Sequence, residues 1–254
     1  LEAYDVPNIM QIPSTPVAEP GATNGTAANP AQLSAELTGL FPAGVVAVEL
    51  TTEAAPDVLT SVELKSISHC ADKRVQDFTR GRACAHRALS ELGIRDFSLL
   101  AGEKREPIWP PAITGSITHT AGFAAAVVAR RADIASLGID CEIIESVDEE
   151  LWERICTPAE QARLARLPVV ERRRQAALIF AAKEAFYKCQ FPLSRAWVGF
   201  EDVSIEPADW PASAGSLRVV PQNPLPVPDG WVASLVGRFQ FRDRWVVTGV
   251  TALI

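Results

Sequence analysis

The sequence predicts an α+β protein, and three observations carry that prediction. Residues 71–92 repeat apolar residues at helical spacing, and 171–188 are rich in the helix formers Ala, Arg, Glu and Leu. Apolar, β-rich runs of strand length stand between and after them. Helix and strand occur in each half of the 254 residues, which suggests α+β organisation.

The elements follow in order. Residues 1–38 hold Pro7, Pro13, Pro16, Pro20 and Pro30 among Ala, Thr, Asn and Gly, and are expected to be a disordered tail. Leu1 to Ile9 are expected to be foreign to the native chain, with translation beginning at Met10. Folding is expected from about Phe41, with a strand at 44–50. Val75, Phe78, Arg82, Ala85, Leu89 and Leu92 trace a helix that Gly93 stops. The segment 106–115 is extended, since each proline excludes helix at the residue before it. Strands at 121–130 and 135–140 flank a turn at Arg131–Asp133. Helices are predicted over 149–166 and 171–188, then strands at 201–206, 216–220, 231–241 and 244–253. Arg242–Asp243 reads as a hairpin turn. The expected units are 39–137 and 138–254; no sequence repeat links them.

Composition removes several function classes. A net charge of −7 argues against a general nucleic-acid binder, which needs a basic surface. No apolar run approaches the ~20 residues that span a bilayer, so no membrane partner is expected. Cys70, Cys84, Cys141, Cys156 and Cys189 are scattered without a CxxC pair, which suits reduced thiols in a cytoplasm better than zinc or disulfides.

Four local patterns bear on chemistry. Asp140 and Glu142 flank Cys141 at the end of an apolar strand, so both carboxylates project to one face. Neighbouring carboxylates repel unless a proton or cation lies between them, and Mg2+ suits such a site. A solvated strand end would carry the same residues, so the pair alone leaves both readings open. In the segment 180–188, Lys183 and Glu184 lie in the apolar middle of a helix. Glu184 and Lys188 could form a surface pair worth ~0.3–0.5 kcal/mol, or Glu184 could be a third metal ligand and Lys183 a phosphate contact. Gly115, Ser116, Ile117, Thr118 and His119, read as a loop, offer donors to a phosphate. No GxxxxGK[ST] loop accompanies them. Lys73, Arg74, Arg82 and Arg87 lie on the first long helix, with Arg74 and Arg82 two turns apart on one face; Lys104 and Arg105 follow.

Taken in order, GRACA (81–85), REPIWP (105–110), GSITH (115–119), GIDCE (138–142) and FAAKEAFYK (180–188) resemble the surfactin/enterobactin class of 4′-phosphopantetheinyl transferases. FPLSRAWVGFED (191–202) resembles the actinobacterial branch. The resemblance implies two similar α/β subdomains packed as a pseudo-dimer, with coenzyme A as substrate between them. It implies Mg2+, with Mn2+ as the alternative, on Asp140, Glu142 and Glu184. Catalysis falls to Glu184 as base, directly or through metal-bound water, with Lys183 and His119 neutralising pyrophosphate. The expected coenzyme A contacts are Arg74, Arg82, Lys104, Arg105, Ser116, Thr118, His119, Lys183, Tyr187, Lys188 and Trp197. The implied partner is an apo carrier protein (acyl, peptidyl or aryl), met by a monomer. Ala101 departs from the lysine found there in related enzymes, which removes one expected phosphate contact. The rival readings are a catalytically silent coenzyme A or nucleotide-binding module and a Mg2+-dependent pyrophosphate hydrolase.

Overall fold

A computed structural model describes residues 31–51, 58–208 and 210–254. The first thirty residues, with most of the expected tail and the proposed start at Met10, lie outside the described residues. The end of that expected tail is folded: β1 (Gln32–Leu33) and α1 (Ala35–Thr38) occupy it. Ser34 caps α1 by accepting the Leu37 N–H, and Leu37 is buried beside Leu40 and Phe41.

The chain continues through β2 (Val46–Leu50), α2 (Ser61–Ser66) and α3 (Asp72–Glu91), then β3 (Ile113–Thr120), β4 (Phe123–Arg130) and β5 (Ile134–Ile143). The second half holds α4 (Glu149–Ile155), α5 (Pro158–Leu164), α6 (Val169–Ser194), β6 (Val203–Pro207), β7 (Ala214–Pro221), β8 (Leu235–Arg242) and β9 (Trp245–Leu253). The helix expected over 149–166 is two helices, because Pro158 forbids continuity and Thr157 opens α5 with a capping box to Glu160. The expected hairpin is present, with Arg242 opposite Trp245 and Asp243 at φ 47°.

Two antiparallel sheets result, in the orders β1-β2-β4-β3 and β5-β9-β8-β7-β6. The crossing between them falls at 131–133, so the boundary expected at 137/138 would cut through β5. Alternation along β4 explains the layering. Ala124, Ala126 and Val128 face α3, while Phe123, Ala125, Val127 and Ala129 face Leu137, Ile139, Cys141 and Val247 of the second sheet. The far side of that sheet carries α6, through Ala181, Ala182, Ala185, Val246 and Val250. Each sheet thus has one long helix outside and the other sheet inside. Among the described residues no helix is long and apolar enough to cross a membrane.

Candidate active site

The site is built where α6 crosses β5, and three residues fix that crossing. Gly138 leaves no room for a side chain: a Cβ there would lie 1.9 Å from the Ala185 carbonyl oxygen. Ser136 Oγ donates to the Cys189 carbonyl at 2.6 Å, and Thr248 Oγ1 donates to the Ala181 carbonyl at 2.8 Å. Glu184 and Lys188, one turn apart, are thereby held over the same end of β5.

Lys188 Nζ donates to Asp140 Oδ1 at 2.6 Å, and Thr118 Oγ1 donates to the same oxygen at 3.1 Å. Asp140 Oδ2 is buried and, among the described residues, accepts no hydrogen bond. Burial pushes the Glu142 carboxyl well above its ordinary range, and the charges of Asp140 and Glu184 push the same way. Glu184 is raised to about 7, first by burial and then by Asp140, against the pull of Lys188. Burial disfavours the charge on Lys188, but Asp140, Glu184 and Glu142 outweigh it and raise its pKa. Lys188 thus hydrogen-bonds Asp140 alone of the three and feels the other two carboxyl groups electrostatically. Among the described residues no three acid, thiol or imidazole groups converge closely enough to enclose an ion unaided. A hard cation that completes its shell with water and substrate oxygens fits such an open donor set.

His119 stands at the rim, its side chain about a third exposed and its Nδ1 4.0 Å from Asp77 Oδ2 of α3. Its pKa is lowered by the protein packed around it, an effect that Asp77 opposes and that Lys188 and Arg74 reinforce. Arg74 is exposed on α3 and acts electrostatically on both His119 and Arg82. Lys104 and Arg105 are exposed on the turn at 102–106. Tyr187 and Trp197 meet with ring centroids 5.3 Å apart and line a groove with Glu184, Phe186, Gly199 and Phe200.

Several expected contacts are committed elsewhere. GSITH is not a loop but the middle of β3, so its side chains alternate. Ile117 faces α3, while the buried hydroxyls of Ser116 and Thr118 face β5 and accept the N–H groups of Ile139 and Cys141, both at 3.1 Å. They join the two sheets. Arg82 does not share a solvent face with Arg74. It is buried, its Nε donates to the Leu99 carbonyl at 2.8 Å, and its guanidinium lies 4.3 Å from the Phe78 ring centroid. Burial lowers its pKa to about 10, which Glu63 opposes and Arg74 reinforces.

Lys183 departs furthest from expectation. Its Nζ is buried on the core side of α6 and donates to Glu160 Oε2, the Ile155 carbonyl and the Phe200 carbonyl, each at 2.7 Å. An ammonium offers three donors, and all three are used. It anchors the helix, and Lys188 is the cation at the carboxylates. Glu160 was missed in the sequence, although T-x-x-E ahead of a helix is a legible capping signal there and at Thr60–Glu63.

A family model described as the 4′-phosphopantetheinyl transferase N-terminal domain matches residues 62–129, and one described as the 4′-phosphopantetheinyl transferase superfamily matches residues 136–236. The 4′-phosphopantetheinyl transferase PptT of Mycobacterium tuberculosis is 35% identical over 193 residues, spanning 74% of this chain and 83% of that protein. The transferase Npt of Nocardia iowensis is 33% identical over 217 residues, spanning 83% and 97%. A crystal structure of Thermotoga maritima holo-[acyl-carrier-protein] synthase aligns with a TM-score of 0.38 at 25% identity, covering 47% of this chain and 64% of that one. With two family models matched in order and relatives spanning most of its length, the chain belongs to the 4′-phosphopantetheinyl transferase superfamily.

Proposed function

We propose that this chain transfers the 4′-phosphopantetheine arm of coenzyme A to a serine hydroxyl of an apo carrier protein or domain, releasing 3′,5′-ADP. The observation that carries the reading is the Lys188 ammonium on Asp140 Oδ1, with the buried Asp140 Oδ2 unpartnered among the described residues and the charges of Glu142 and Glu184 acting on the same pair. Such crowding is unfavourable in an empty cleft and favourable around a cation. The donors are hard oxygens, so Mg2+ or Mn2+ fits on Asp140, Glu142 and Glu184. When bound, the cation would neutralise charge on pyrophosphate oxygens.

The chain's own residues supply positioning and proton transfer. Lys188 and His119 are the donors assigned here to pyrophosphate oxygens, and the exposed Arg74, Lys104 and Arg105 those assigned to the 3′-phosphate. Tyr187 and Trp197 wall the groove for the apolar arm. Glu184 borders that groove and takes the proton of the carrier serine as its oxygen attacks the phosphorus next to pantetheine. Lys183 acts indirectly, by tying the helix next to Glu184 to the Phe200 carbonyl on the groove wall.

The test is intact mass spectrometry of an apo carrier incubated with the protein, coenzyme A and Mg2+. A gain of one phosphopantetheine arm is expected, abolished by EDTA and by replacing the carrier serine. No gain on acyl, peptidyl and aryl carriers, alongside measurable coenzyme A binding, would instead support the silent-module reading.

A further inference from the structure

The last residue of α6's helical path is an arginine in a conformation that favours glycine. Arg195 caps the helix at φ 57° and ψ 14°, its N–H bonded to the Phe191 carbonyl at 2.9 Å. Glycine is the usual occupant of such a left-handed cap, so an arginine here needs a reason in its side chain. Its Nη1 donates to Glu106 Oε1 at 2.6 Å, across 89 residues of sequence, and so links a loop of the first half to the second. Its guanidinium also lies 5.7 Å from the Phe191 ring centroid; Phe191 stacks on Tyr187 at 5.5 Å, and Tyr187 meets Trp197. The arginine is therefore continuous with the aromatic wall of the groove.

The other partner is equally constrained. The turn at 102–106 closes with Gly102 N–H on the Glu106 carbonyl at 2.8 Å, and the Lys104 N–H donates to Glu106 Oε2 at 3.0 Å. The carboxylate lies folded over Gly102, where a Cβ would come within 2.4–2.6 Å of it. Arg105 sits at φ 66° beside it. One carboxylate thus shapes the loop that bears Lys104 and Arg105 and grips Arg195 with its other oxygen. The phenol of Tyr187 feels Glu106 as well: burial first, then the charges of Glu184 and Glu106, push it up to about 12.

We propose that Glu106 and Arg195 form a latch across the mouth of the cleft. It locks the basic loop to the aromatic wall and so positions Lys104 and Arg105 for the nucleotide end of coenzyme A. The inference rests on the function proposed above. Both are positioning residues that act through the loop and the wall.

Calorimetric titration of coenzyme A, paired with transfer kinetics and thermal melting, tests it on the intact chain. Arg195→Gly is expected to keep or raise the melting temperature, since glycine suits the left-handed cap. The same variant should weaken coenzyme A binding about threefold to fivefold, the scale of one partly exposed ion pair. The loss should appear in the KM for coenzyme A and leave kcat unchanged. Arg195→Lys should recover most of the affinity, and Glu106→Gln should reproduce the loss. In a Lys104→Ala, Arg105→Ala background, Arg195→Gly should have no further effect on affinity. Unchanged affinity in Arg195→Gly, or a full additional loss in the double-alanine background, would overturn the latch while leaving the function standing if transfer is normal. Failure of the unaltered protein to bind coenzyme A at all would remove both.

Discussion

The two halves fasten their long helices with the same device and diverge one residue later. In the first half, Glu63 closes a capping box with Thr60, accepts the Leu99 N–H at 2.8 Å and holds His86 of α3 at 2.8 Å. In the second, Glu160 closes a capping box with Thr157, accepts the Ile205 N–H at 2.7 Å and holds Lys183 of α6 at 2.7 Å. Ser98 and Ser204 bond to Thr60 and Thr157 in turn, at 2.9 and 2.8 Å. The glutamate and its partner on the long helix stand 23 residues apart in both halves. Next to His86, α3 carries Arg87, exposed and paired with Glu91 at 2.7 Å. The matching position of α6 carries Glu184, followed one turn on by Lys188 at the carboxylates of β5. The same hydrogen-bonded device thus occurs in both halves, and one helix turn with its sign reversed separates a solvent face from a candidate active site. Lys183 is an anchor for the same reason that His86 is.

That comparison can be broken in several ways, taken here from the largest expected effect to the smallest. Glu142→Ala should reduce transfer by about a hundredfold to a thousandfold. Its melting temperature should stay level or rise, because removing one of three crowded carboxylates relieves repulsion. A folded variant with near-normal turnover would remove Glu142 from the site. Lys183→Met should destabilise the fold by about 3–5 kcal/mol in urea unfolding, since Glu160 would be left buried without its cation. Adding Glu160→Gln should recover part of that loss. A stable Lys183→Met protein that fails only in coenzyme A binding would restore the phosphate-contact role expected from sequence.

The anchor in the first half should be sensitive to acid. Burial tends to raise the pKa of Glu63, but hydrogen bonds from His86 and the N–H groups of Thr60 and Leu99 prevail and hold it at about 2, below its ordinary 4.5. A depressed carboxyl pKa contributes stability that is complete above about pH 4.5 and is lost as pH falls towards 2. The contribution is on the order of 2–3 kcal/mol. Urea midpoints measured from pH 6 to pH 3 should fall more steeply in the native protein than in Glu63→Gln. Parallel profiles would show that Glu63 does not carry the acid sensitivity. Smallest of all, Glu91→Gln should cost no more than about 0.5 kcal/mol, as its pair with Arg87 is partly exposed.

Much of the second half's chemistry was legible in the sequence because it rests on short-range periodicity. Asp140 and Glu142 share a face by the two-residue repeat of a strand, and Glu184 and Lys188 by the four-residue spacing of a helix. Which of Lys183 and Lys188 meets the carboxylates was not legible. The answer depends on how α6 sits on β5, fixed by the close approach at Gly138 and the bonds of Ser136 and Thr248. GSITH was read as a loop because glycine and hydroxyl residues suggest turns; pairing with β4 and the seam to β5 override that preference. The likeness of the two helix anchors was not legible because matching positions differ chemically: His86 answers to Lys183 and Arg87 to Glu184. The capping boxes keep the same letters, Thr60 with Glu63 and Thr157 with Glu160, as do the serines that bond them, Ser98 and Ser204.

The most direct test compares the two matching helix positions in one assay. Glu184→Gln and Arg87→Gln would be assayed for phosphopantetheine transfer to the same apo carrier by intact mass, with melting curves recorded for both. The account predicts that both variants fold, that Arg87→Gln transfers within about twofold of the unaltered protein, and that Glu184→Gln loses about a thousandfold. A folded Glu184→Gln that still transfers normally, or an Arg87→Gln that fails as badly, would contradict the assignment of the chemistry to the second half.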